Sequence, residues 1–358
     1  MYRLPVLSLI AMAMINMGDQ SQRELLHSLA AAYRLPGKPR DIQVYKHHDC
    51  VYCLTVGDRR YVAQIGNDWS SQDTQFKIGL QQYLHDIGFP IPALHTTSEG
   101  EVLWDVGGVG SILTDYVGLP FDPSRRRQQC DAAAVTLGWF HREGPKAQDL
   151  GTRYWEEWDP EFQYSRAFNQ NAHDFLVHKP LSDSNRRYVT ELINDMAEFL
   201  RQASSCLISR NWFELPHIPV HGEYTQYHCR YHGDEVAAVI DWDTARLAPR
   251  IQDFARAMNV GLGWGASVPD DDNFKWQWTD IPTVADVVHW VDRYRETAPA
   301  LTQTELELLP FVCVAMWPQS GGSQVPNTDA EVEDCDRVVK FMRFWIDEAR
   351  AIQDALMK

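Results

Sequence analysis

Apolar positions recur along the chain with a period near two at first and near 3.6 later, and the change falls close to Pro120. "DIQVYKHH" from Asp41, "CVYCLTV" from Cys50 and "RRYVAQIG" from Arg59 are short runs rich in β-branched and aromatic residues, and they predict strands. Gly57-Asp58 joins the last two as a turn. "EVLWDV" from Glu101 and "SILTDYVG" from Ser111, linked across Gly107, Gly108 and Gly110, predict a second strand pair. Two stretches have helical spacing instead. "SQRELLHSLAAAY" begins at Ser21 and stops at Leu35-Pro36-Gly37, and Asp73 to Ile87 is stopped by Gly88 and Pro90. Strands, one main helix and more strands predict a small α+β lobe.

After Pro120 the helical period dominates. "DAAAVTLGWFHREG" from Asp131, "RRYVTELINDMAEFLRQASSCL" from Arg186, "VADVVHWVDRYRETA" from Val284 and "VVKFMRFWIDEARAIQDALM" from Val338 each place apolar residues at i, i+3, i+4 spacing. The expected organisation is an apolar extension over 1–20, a β-rich lobe over 21–117 and a larger, mainly helical lobe over 118–358. In the extension, the apolar run from Leu4 to Met17 falls short of the ~20 residues that a membrane span needs. Arg3 and "AMA" give it a thin likeness to a signal peptide. The favoured reading is a helix or tail ahead of the domain, with Met17 a natural second beginning.

Charge narrows the partners. Forty-nine acidic residues against 33 Lys and Arg give a formal charge of −16. Phosphate backbones are held by clustered Lys and Arg, so nucleic acid is not expected, nor is a membrane. A cationic or neutral small ligand, or a peptide, suits that field. Seven Cys without a repeated spacing argue for reduced thiols and a cytoplasmic protein. Cys50 and Cys53, preceded by His47 and His48, form a lone C-x-x-C in a strand-like run, where residues three apart point to opposite faces. Packing thiols are the expectation there. The acidic run 270–273 reads as a solvated loop.

Candidate chemistry gathers in "PVHGEYTQYHC" from Pro219 and "VIDWDTARLAPRIQDFA" from Val239. "RYHGDEVAAVID" predicts a hairpin turning at Gly233-Asp234, whose second strand delivers Asp241 to its end. That carboxylate, near Glu223 on the preceding loop, suits a divalent cation or acid–base work. Loop acids that cap neighbouring helices would look the same in sequence. His221, His228 and His232 with Glu223 and Asp241 also supply zinc-ligand types, although the H-E-x-x-H spacing is missing. A zinc-dependent hydrolase is therefore a minor alternative.

The order "HGEYTQYHC…IDWDTARLAPRIQDFA" resembles the aminoglycoside phosphotransferase-like kinases, a branch of the protein-kinase-like fold, in which a pattern such as "HGDFAPYNC…IDFDTAHPGPRLWDLA" is common. "LGWFH" at 137–141 resembles the family's helix ahead of the catalytic loop. "LHDIGFPIP" at 84–92 resembles the end of the small-lobe helix. "ILTDYVG" at 112–118 resembles the adenine-holding hinge, with Thr114 and Tyr116 in it. The likeness spans roughly residues 25–350. It implies a bilobal α+β kinase-like fold and ATP-dependent transfer of phosphate to a hydroxyl of a small molecule or natural-product peptide, with Mg2+ or Mn2+.

By that resemblance, Glu223 takes the place of the catalytic Asp. His221 matches the His at the loop's start and joins Glu223 among the candidate catalytic residues. His228 falls where an Asn ligates the metal, Asp241 is the metal-binding Asp, and Asp253 is a structural brace. On the third strand, Gln64 stands where a phosphate-binding Lys or Arg is expected. Its helix partner, usually Glu, falls on Lys77 or Gln75. Arg60, Arg59 or Lys46 are the cations placed to compensate. "RYWEEWDPEFQY" offers Trp155, Glu157 and Trp158 as an aromatic and acidic acceptor site for a cation, or else as an amphipathic surface helix. "GWGASVPDDDNFKWQW" over 263–278 is a second Trp-rich stretch, read as a flap over the acceptor or an interaction surface. The substitutions at 64, 223 and 228 also fit a kinase-like pseudoenzyme or scaffold that holds a peptide or a partner enzyme.

Overall fold

The computed structural model describes residues 19–44, 51–66, 71–106, 109–148, 150–151, 171–265, 277–278, 281–316, 326 and 328–358. The apolar run at Leu4–Met17, the "KHHDC" segment, the acidic run 270–273, most of the Trp-rich stretch 263–278 and all of 153–164 lie outside these. By backbone proximity the chain divides into two compact units. One draws on the described residues within 1–120, 147–153 and 230–240; the other draws on those within 121–146, 154–229 and 241–358.

The first unit opens with helix α1 (Asp19–Ala32), followed by β1 (Asp41–Val44), β2 (Val51–Val56), β3 (Arg59–Gly66), α2 (Ser71–Asp86), β4 (Trp104–Val106) and β5 (Val109–Asp115). The strands form one antiparallel sheet in the order β1-β2-β3-β5-β4. Val56 faces Arg59 across the β2–β3 hairpin, so the turn holds Gly57 and Asp58 alone, with Gly57 at φ +60°. A two-residue hairpin loop favours positive φ because its twist then matches that of the strands. The period of two has its expected effect. Tyr52, Leu54 and Val56 of β2 and Tyr61, Ala63 and Ile65 of β3 bury one face of the sheet in a core with Leu26, Leu29 and Tyr33. The Tyr33 hydroxyl reaches the carbonyls of Val102 and Ser111 at 2.7 and 2.8 Å, tying the end of α1 to the β4–β5 region.

The second unit begins with α3 (Arg126–Glu143), then α4 (Asp183–Ser209) and β6 (His217–Val220). Ser182 caps α4 by accepting from the Asn185 N–H. Next comes the predicted hairpin, β7 (Cys229–His232) and β8 (Glu235–Val239), turning at Gly233 with φ +66°; all but its first residue group with the first unit. The backbones of Leu119 and Tyr231 exchange two hydrogen bonds, and the Val239 N–H donates to the Pro90 carbonyl. Strand β9 (Arg246–Pro249) pairs antiparallel with β6, and α5 (Ile251–Leu262), α6 (Val284–Arg295), α7 (Gln303–Ala315), α8 (Val332–Asp347) and α9 (Ala349–Leu356) complete the chain.

Three helices depart from the sequence pattern. The helix expected from Val338 to Met357 starts earlier, at Val332, and breaks at Glu348, whose φ of −92° and ψ of 3° leave the helical region. Helices α5 and α7 were not foreseen. Helix α5 carries Ile251, Phe254, Ala255 and Met258 on one face, a short stripe set among the polar residues of its motif, whereas α7 is apolar nearly all round. A buried ion pair joins them. Arg250, which precedes α5, meets Glu305 of α7 through Nε and Nη2 at 2.7 Å each, and also donates to the carbonyls of Pro299 and Ala300. Among the described residues, no helix is long and apolar enough to cross a membrane.

Candidate active site

Pairing of β6 with β9, Val220 opposite Arg246, sets the loop that leaves β6 beside the turn that enters β9. The first carries His221, Gly222 and Glu223, and the second carries Asp241 to Thr244. Asp253, in the first turn of α5, fastens the loop from below. Its two carboxylate oxygens accept the N–H groups of His221 at 2.5 Å and Gly222 at 2.7 Å. Burial alone would push this carboxyl up, but the His141 imidazole, then His221 and Arg246, hold it below the usual carboxylate range. His141 is itself pushed down, chiefly by complete burial, and its Nδ1 meets the Tyr294 hydroxyl at 2.9 Å. Gly222 sits at φ +86°, and a methyl there would overlap the Thr244 carbonyl and the Arg246 guanidinium. The Thr244 hydroxyl donates to the His221 carbonyl at 2.9 Å, which closes the loop onto the turn.

Side chains on this frame divide into sealed and open ones. His221 is fully buried, with its ring 4.6 Å from that of Trp242, and its Nδ1 accepts the Glu223 N–H at 3.3 Å. Tyr224 is also sealed, its hydroxyl donating to the Ala133 carbonyl of α3 at 2.9 Å. Glu223, His228 and Asp241 are half-buried, and one ligand atom from each lies within 4.8 Å of the other two. His228 Nδ1 lies 2.6 Å from the Glu223 carbonyl oxygen, and its Nε2 lies 3.4 Å from Asp241 Oδ2. Asp241 adopts a left-handed conformation, φ 66° and ψ 58°. The His221 and His228 rings stack with centroids 5.9 Å apart, but His232, on β7, is exposed and outside this cluster, so the three imidazoles of the zinc reading do not meet.

Arg256 was missed in the sequence. Its Nη2 donates to Glu223 Oε1 at 3.2 Å. The available signal was spacing: Arg256 follows Asp253 by three positions, one helical turn along the same face of α5.

The four residues expected to face a nucleotide belong to the first unit. Antiparallel register puts Val62 opposite Thr114, Gln64 opposite Ile112, and Arg60 opposite Thr55, so Arg60, Gln64 and Thr114 share one face of the sheet. Tyr116 follows β5, and its N–H donates to the Arg60 carbonyl at 3.0 Å. The Arg60 guanidinium lies 3.8 Å from the Tyr116 ring centroid and donates to Cys53 Sγ at 3.3 Å. On α2, Lys77 is buried and Gln75 exposed. Lys46 and the proposed acceptor residues Trp155, Glu157 and Trp158 lie outside the described residues.

Residues 47–285 match the sequence profile of the phosphotransferase enzyme family known as APH, and the chain belongs to that family. Solved structures similar to it share its α+β, protein-kinase-like fold. An amicoumacin kinase, in complex with AMP-PNP, Ca2+ and Ami, is 15% identical, with a TM-score of 0.59 over 96% of this chain and 95% of that one. A spectinomycin phosphotransferase with ADP and spectinomycin is 14% identical, with a TM-score of 0.59 over 92% and 98%. A choline kinase from Cryptosporidium parvum Iowa II is 11% identical, with a TM-score of 0.52 over 93% and 96%. No curated protein sequence matches the chain.

Proposed function

We propose that this protein transfers the γ-phosphoryl group of ATP to a hydroxyl of a small molecule or natural-product peptide. The observation that carries the reading is the approach of Glu223, His228 and Asp241 to within 4.8 Å on a loop fastened by Asp253. Family membership, and the nucleotides seen with similar structures, support it. Glu223 would accept the acceptor hydroxyl's proton as its oxygen bonds to the γ-phosphorus, while the bond from that phosphorus to the bridging oxygen breaks and ADP leaves. The Glu arm is one methylene longer than that of Asp, and Arg256 restrains it by holding one carboxylate oxygen. His221 is a positioning residue, sealed beneath the loop. Asp241 and His228, facing each other at 3.4 Å, are the residues that would hold a divalent cation; the carboxylate suits Mg2+ or Mn2+, and the imidazole nitrogen suits Mn2+ better. Such a cation supplies positive charge beside the phosphates.

Transfer of radiolabelled phosphate from ATP to a panel of hydroxylated acceptors tests the proposal. Asp241→Asn tolerates the left-handed backbone and should lower transfer by about 1,000-fold or more, the scale of losing a main electrostatic group; Asp241→Ala should abolish it. Unchanged turnover in both would overturn the metal assignment. One observation favours a second reading, a kinase-like scaffold for a peptide or partner enzyme. Gln64 occupies the expected cation position, while Arg60 is engaged by Tyr116 and Cys53. Absence of any thermal shift with ATP and a divalent cation, together with no transfer, would select the scaffold.

A further inference from the structure

The donor set around Glu223 disagrees with Mg2+ in one respect. Mg2+ takes hard oxygen ligands in near-ideal octahedral geometry, and His228 offers nitrogen. We infer that Glu223, His228 and Asp241 form a mixed carboxylate–imidazole site that selects a first-row transition ion such as Mn2+ or Zn2+ over Mg2+, with Glu223 as its third ligand in the nucleotide-free protein, before it serves as base. The inference concerns the cation of the phosphotransferase reading and deepens it.

The placement of His228 carries the argument. A carbonyl oxygen only accepts, so the 2.6 Å contact between His228 Nδ1 and the Glu223 carbonyl puts the proton on Nδ1. The other ring nitrogen, Nε2, faces a carboxylate oxygen of Asp241 at 3.4 Å. The separation exceeds the ~2.7–2.9 Å of a charge-assisted hydrogen bond. It matches the edge of a coordination shell, since bonds of about 2.1 Å meeting near the tetrahedral angle put their donors roughly 3.4 Å apart. Donation from the second ring nitrogen to a backbone carbonyl is also the usual way in which a metal-bound imidazole is oriented. Here that carbonyl belongs to Glu223, whose side chain supplies the third donor, so one residue both aims the imidazole and completes the set. Arg256 on the Glu223 carboxylate offsets part of the negative charge. Weakened charge attraction penalises a hard ion held by electrostatics more than an ion held partly through nitrogen.

The test is metal binding by the full chain without nucleotide. Titration calorimetry with MnCl2, ZnCl2 and MgCl2 should show Mn2+ binding at least about tenfold tighter than Mg2+, with Zn2+ tighter again. Pulsed EPR of the Mn2+ form should show a directly bound 14N nucleus. His228→Asn, which keeps an oxygen donor, should lose the 14N coupling and most of the Mn2+ preference while retaining Mg2+ binding. Glu223→Gln should weaken Mn2+ by about tenfold or more, the scale on which even outer partners act. The wild-type spectrum alone is decisive if a variant does not fold. Bound Mn2+ without 14N coupling, equal Mn2+ and Mg2+ affinities, or Mn2+ binding unchanged in Glu223→Gln would overturn the assignment. Labelled-phosphate transfer is measured separately in Mg2+ and in Mn2+: its absence in both would sink the transferase reading and leave the metal result standing, and the converse also holds.

Discussion

Asp253 and Arg60 are both charged side chains engaged within their own unit of the protein, and they are engaged in different ways. At the loop, Asp253 is sealed and takes two backbone N–H groups, so the holding is done from beneath and Glu223, His228 and Asp241 stay open to one another. On the sheet, Arg60 is exposed, with its guanidinium over Tyr116 and against Cys53. Arg60, one of three cations named as able to compensate for Gln64, is thus itself part of a structural contact. A site keeps its chemistry available when other residues do the bracing. The loop meets that condition, and the sheet face meets it only if Arg60 lets go of Tyr116.

The largest expected effect breaks the loop's side of this contrast. Asp253→Ala strands two buried N–H groups and should cost about 3–5 kcal/mol of unfolding free energy, the range for breaking a buried charged network. Arg60→Ala should cost no more than about 1 kcal/mol, as for an exposed cation–π contact. Chemical denaturation of both variants measures the difference, and equal losses would erase the distinction.

Acid should find the same brace. Asp253 and His141 both sit below their ordinary values in the folded chain, so the unfolded chain takes up protons first as the pH falls. The contribution of this pair should be flat above the ordinary imidazole value of about 6.5 and decline below it, through His141 first and then through Asp253. The urea midpoint as a function of pH reads this directly. His141→Phe should flatten the upper part of the decline; a midpoint that rises on acidification contradicts the account.

Smaller effects sharpen the sheet's side. Gln64→Lys should raise transfer about tenfold if this face meets phosphate, a fraction of what one preorganised charge supplies elsewhere. The gain should appear in the rate and in the KM for ATP; no change in either would remove the face from the site. Smallest of all, Glu223→Asp should stay within about tenfold of the wild type. It shortens the arm without removing its charge, and Arg256 absorbs part of the displacement.

Strands β2 and β3 were readable because one face of the sheet is buried and a period of two records it, whereas the hairpin was readable from its Gly233-Asp234 turn, since burial along β8 does not alternate. Helix α7 went unread for the opposite reason, since Leu306, Leu308, Leu309, Phe311, Val312 and Val314 are buried around much of the axis; α5 has a stripe, Phe254, Ala255 and Met258, but a short one set among the polar residues of its motif. Glu223, His228 and Asp241 were legible as a group because motif order brought them together, whereas their mutual distances depend on the β6–β9 register, a contact between segments far apart in the chain. Arg256 was hidden in the unread helix. The tautomer of His228 is set by a backbone carbonyl, which no side-chain pattern records.

The left-handed backbone at Asp241 has a consequence for how this position can change. Besides Gly, the residues that enter that region most readily are Asn and Asp, because their short polar side chains bond locally. Of these three, Asp alone carries charge. The substitutions that the chain would tolerate best at 241 are therefore the ones that silence it, and a neutral variant would fold nearly as well as the active protein. Copies disabled at this position would persist as well-folded binders, detectable by their melting temperature and invisible in any assay of turnover.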